Sequence, residues 1–98
     1  MTFTSKQRAY LRGLANNLEP VLQVGKEGTS PEVVEAVNEC FNTRELIKLN
    51  VLKNCQEDVR EVARKIGERT HSDPVCCIGR RFVLYKPFPE EQQIRLPK

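Results

Sequence analysis

Apolar residues recur along this chain with two alternating periods, one helical and one extended. Leu11, Leu14, Ala15 and Leu18 fall at i, i+3, i+4 and i+7, the single stripe of an amphipathic helix. Thr4-Ser5-Lys6-Gln7 ahead of them has the form of a capping box, in which the hydroxyl accepts an orphan amide and Gln7 reaches back. Pro20 cannot continue a hydrogen-bonded ladder and lies past the helix end. Val21 to Val24 reads as a short strand halted by Gly25. Thr29-Ser30-Pro31-Glu32 is a second helix start, with hydroxyls to cap it, a proline suited to the first turn and a glutamate favoured by the dipole. Val33, Ala36, Val37 and Cys40 form its buried stripe, closed by Phe41.

From Glu45 to Leu52 the period changes. Ile47, Leu49 and Val51 point one way and Lys48 and Asn50 the other, as in a strand with one packed and one more polar face. Asn54 and Glu57 are read as caps of a third helix with the stripe Val59, Val62, Ala63 and Ile66. On its outer face, pairs such as Glu61 with Lys65 support the helix internally. Val75 to Ile78 and Phe82 to Tyr85 are two strands joined through Gly79, Arg80 and Arg81, glycine supplying the positive φ of a tight hairpin. The order is α-β-α-β-α-β-β. Right-handed crossovers make the first strands parallel, and the final hairpin makes the sheet mixed. The fold class is therefore α/β, a two-layer or three-layer sandwich with a four-stranded mixed sheet and three helices. Leu11, Leu14, Val37, Leu49, Val62 and Ile66 are expected in its core. Residues 1–87 form the domain, and residues 88–98, which lack a period, form a flexible tail.

Composition narrows the class. The chain's 98 residues build one core and not two. No apolar run is long enough to span a bilayer, so no membrane partner is expected. Met1 to Arg12 lacks the apolar core and cleavage site of a secretory signal, which points to the cytoplasm and reduced thiols. Cys40, Cys55, Cys76 and Cys77 include no C-x-x-C pair, and His71 is the only histidine, so free thiols, no metal and no cofactor are expected. Cys76 and Cys77 should project to opposite faces of their strand. His71-Ser72-Asp73 is a loop rather than a triad, because adjacent residues rarely converge on one reaction centre. Without a nucleophile, metal set or P-loop, the chain is not read as an enzyme, and no small-molecule substrate is expected.

The net charge of +3 matters less than its distribution. Met1 to Leu18 carries Lys6, Arg8 and Arg12 and no acid, whereas the second helix carries Glu32, Glu35 and Glu39 and no cation. Such polarity can turn one face to a polyanion. Gln23-Val24-Gly25-Lys26-Glu27-Gly28 places a G-x-x-G loop between a strand and a capped helix. Glycines there permit a sharp turn and close approach, the helix start offers amides and a positive dipole end, and Lys26 adds a charge. This combination suits a nucleic-acid backbone, as in the GXXG loop of KH domains.

Five ordered blocks then resemble the YhbY family, the free-standing bacterial form of the CRM domain (chloroplast RNA splicing and ribosome maturation). They are Lys6-Gln7-Arg8-x-x-Leu11-Arg12; Leu18-x-Pro20-Val21-x-Gln23-Val24-Gly25-Lys26-x-Gly28; Glu45-Leu46-Ile47-Lys48; Ile78-Gly79; and Val83-Leu84-Tyr85-Lys86. The resemblance implies a core similar to the C-terminal domain of translation initiation factor three. It also implies RNA binding through Gly25 to Gly28 and association with precursors of the large ribosomal subunit; the protein is expected to be a monomer. Glu27 departs from an ideal pattern by neutralising Lys26 at the loop tip.

The residues expected to contact RNA are Gly25, Lys26, Glu27, Gly28, Lys6, Arg8, Arg12 and Lys48. Arg80, Arg81 and Lys86 either reach RNA or shield a hairpin edge, and Tyr85 is assigned to packing. The alternative to RNA binding is a protein-interaction adaptor docking through the acidic second helix.

Overall fold

The computed structural model describes residues 3–97. Its elements follow the expected order: α1 (Ser5–Ala15), β1 (Leu22–Val24), α2 (Pro31–Cys40), β2 (Leu46–Val51), α3 (Val59–Thr70), β3 (Asp73–Ile78) and β4 (Arg81–Tyr85). The strands form one mixed sheet in the order β1-β2-β4-β3. β1 and β2 are parallel, and β4 runs antiparallel to both β2 and β3.

The central strands are apolar on both faces, which forces three layers rather than two. Ile47, Leu49, Phe82 and Leu84 pack with Val37, Val62 and Ile66 of α2 and α3. Leu46, Val83 and Tyr85 face the other way and pack with Leu11 and Ala15 of α1. The expected polar face of β2 is thus split: Leu46 is buried beneath α1, while Lys48 and Asn50 lie half-buried farther along.

Two expectations need correction. Leu14 and Leu18 are exposed, not core. α1 lies alone on its face of the sheet and buries only the strip Leu11 and Ala15, so Leu14 lies on the outer flank. The helix ends at Ala15, before the stripe reaches Leu18. The cap of α3 is Asp58, whose carboxylate accepts from the Arg60 amide, rather than Asn54 or Glu57.

The tail has no helix or strand through Pro97, yet it lies against the domain. The buried Glu45 carboxylate accepts the amides of Phe88 (2.7 Å), Gln93 (2.9 Å) and Ile94 (2.6 Å). Ile94 and Leu96 pack beside α1, and Gln7 donates to the Pro97 carbonyl. A carboxylate satisfied by three N–H groups makes burial of its charge tolerable.

Candidate nucleic-acid interface

The G-x-x-G loop is built from beneath. Gly28 has φ +61°, and a Cβ there would overlap the Glu57 carboxylate. Glu57 accepts the Thr29 amide at 2.9 Å and pairs with Lys65. The Lys65 and Thr29 hydrogen bonds hold the Glu57 carboxyl below its ordinary pKa of 4.5 against a smaller opposing effect of burial. Arg69 donates to the Thr29 carbonyl at 3.3 Å. Gly25 is under no such constraint: a Cβ would meet Asn54 and Leu52 at 3.6 Å, ordinary contact.

Most amides expected to be available at the α2 start have partners. The Gly28 amide bonds the Gly25 carbonyl, the Ser30 amide the Gly28 carbonyl, and the Val33 amide the Ser30 hydroxyl. The tip residues Lys26 and Glu27 are exposed and make no hydrogen bond among the described residues. The tip, rather than the helix start as a whole, is where the loop has spare anion-binding capacity.

Beside the loop, the α1 face of the sheet is open. Gln23, Asn50, Arg81 and Ile78 stand in register across all four strands, spanning about 14 Å at normal strand spacing. One pleat farther from the loop, Lys48, Val83 and Cys76 form the next row on this face. The C-terminal end of α1 borders these rows, with Asn16 sharing a cleft with Lys48, Ile78, Arg81 and Val83. Along the β3 side of α1, Ser5, Arg8, Arg12, Asn16 and Cys76 line a second, larger groove. Burial pushes the Cys76 thiol up, opposed by the positive fields of Arg12, Arg8 and Lys48, so these cations share one neighbourhood. Cys77 projects to the opposite side, within the fields of Arg60 and Asp58.

The expected cations therefore separate by role. Arg12 and Lys48 lie on the open face with no ion pair among the described residues. Arg8 lies beside them but is committed to Val75 and to the Phe3 ring, 5.5 Å from its centroid. Lys6 is exposed on α1. Arg80 is a strut, donating to the Val51 and Leu52 carbonyls at 3.1 and 2.8 Å. Lys86 donates to the Thr70 carbonyl at 2.9 Å and sits 5.9 Å from the Phe41 ring centroid. Tyr85 is fully buried, as expected. Sequence reasoning passed over Asn16, whose neighbours depend on where α1 crosses the sheet, and left Arg81 undecided. Strand parity with Val83 and Tyr85 was a usable signal for Arg81.

The chain matches the CRS1 / YhbY (CRM) domain over residues 3–86. It belongs to that family. It is 43% identical over 94 residues to "Probable RNA-binding protein YqeI" of Bacillus subtilis, covering 96% of this chain and 98% of that one. An "RNA-binding protein" of Haemophilus influenzae is 35% identical over 97 residues, covering 99% and 97%. The solution structure of SAV1595 from Staphylococcus aureus superposes with a TM-score of 0.82 at 38% identity, covering 98% of this chain and all of that one. The CRM fold thus accounts for the element order and the mixed sheet.

Proposed function

We propose that this CRM protein binds single-stranded segments of ribosomal RNA in precursors of the large ribosomal subunit and acts there without chemistry, by positioning or shielding them. The observation that carries this reading is that the exposed G-x-x-G tip directly follows β1, whose Gln23 begins the row Gln23, Asn50, Arg81 and Ile78 on the sheet face that also carries Lys48. Lys26 and the tip amides meet a phosphate, while Arg12, Lys48 and Arg81 continue along the strand. Glu27 lowers the charge at the tip, so affinity there rests on amides and on the cations of the sheet face. The names of the bacterial relatives and the membership of the CRM family support RNA as the partner.

Sedimentation tests the ribosomal part. In lysate separated on sucrose gradients, the protein should travel with large-subunit precursors at low salt and be released at high salt. Persistence at the top of the gradient under every condition, with a stable protein partner copurifying, would favour the adaptor reading instead.

A further inference from the structure

The cleft at the C-terminal end of α1 has the form of a pocket for one unpaired base. It has a volume of about 140 Å³ and is lined by Asn16, Lys48, Ile78, Arg81 and Val83. That is well below the roughly 300–1,000 Å³ of sites for drug-sized ligands, and suits a single ring system. Its apolar wall includes Ile78, which is 45% exposed although it is a large aliphatic residue. Its rim carries two cations, Lys48 and Arg81, neither of them ion-paired among the described residues.

Asn16 supplies the third component. Its backbone amide closes α1 by bonding the Arg12 and Gly13 carbonyls, but its side-chain amide makes no hydrogen bond among the described residues. An Asn amide presents a donor beside an acceptor, which can pair with the donor–acceptor edge of an unpaired base, such as the adjacent N6 and N7 groups of adenine. Apolar wall, flanking cations and a donor–acceptor edge correspond to the three parts of a nucleotide: base face, phosphate and base edge.

We infer that this cleft takes an unpaired base of the bound RNA, with Ile78 against its face and Asn16 reading its edge, and that adenine, which combines a two-ring face with such an edge, is the best match. This rests on the RNA reading above and adds to it a source of sequence preference, which phosphate contacts alone do not supply.

The test uses the full chain and fluorescently labelled oligoadenylate, oligocytidylate and oligouridylate. The wild type should bind oligoadenylate about fivefold or more tightly than oligouridylate. Asn16→Ala should reduce that preference, Ile78→Ala should weaken binding of all three RNAs and oligoadenylate most, and neither should change thermal melting. Lys48→Ala should weaken all three alike and reduce the salt slope by about 0.7. Equal affinity of the wild type for the three RNAs, or a preference that survives both Asn16→Ala and Ile78→Ala, overturns the base pocket and leaves RNA binding standing. No binding of the wild type to any of them overturns both.

Discussion

Gly25 and Gly28 look alike in sequence and differ in what the fold asks of them. Gly28 combines positive φ with contact to Glu57, so Gly28→Ala should destabilise the fold by about 1–3 kcal/mol. Gly25 has neither constraint, and Gly25→Ala should leave the melting temperature nearly unchanged while weakening RNA binding if a phosphate approaches its Cα. Equal losses of stability in the two variants would contradict this division. Glu57 adds a pH signature. Its carboxyl is held below the ordinary value, so its stabilising contribution is present above the ordinary carboxylate range and disappears as pH falls through the lowered pKa. Glu57→Gln should therefore melt below the wild type at neutral pH, with the gap closing in acid. A gap that widens in acid would contradict the assigned partners. None of this was legible from residue types alone. Thr29, Glu57 and Lys65 meet only through tertiary packing, and Glu57 in sequence resembles a helix-start residue.

At the scale of elements, periodicity was most readable where an element is covered on one side. Val37, Val62 and Ile66 are buried as their stripes predict. The stripe of α1 was misleading because a helix lying alone on a sheet buries a narrower strip, here Leu11 and Ala15. Leu11→Ala should cost about 2–5 kcal/mol in chemical denaturation and Leu14→Ala well under half of that. The tail was unreadable for a different reason. Its backbone amides are held by one distant acid, Glu45, which has no period to reveal it. Glu45→Ala leaves three amides without their acceptor, at a cost of about 1–3 kcal/mol. Amide exchange at Phe88, Gln93 and Ile94 should accelerate in that variant, whereas unchanged protection there would show that Ile94 and Leu96 hold the tail unaided.

At the scale of the molecule, charge and topology work together. The net charge of +3 is small, but cations without an ion pair among the described residues gather around the open sheet face beside α1, and the acids of α2 belong to the opposite layer. The candidate site was partly legible: the loop and the acid-free first helix are contiguous in sequence. The row Gln23, Asn50, Arg81 and Ile78 exists only once strand order is known, since it draws one residue from each of four strands. The most direct test is the affinity of purified protein for single-stranded RNA measured across salt concentration. If Lys26, Arg12, Lys48 and Arg81 each meet a phosphate, four contacts at roughly −0.7 each give a log–log slope near −3. Replacing Lys26 and Glu27 together by aspartate should weaken binding and flatten that slope without changing the melting temperature. Absence of measurable RNA binding at low salt, or an affinity indifferent to salt, would contradict the account.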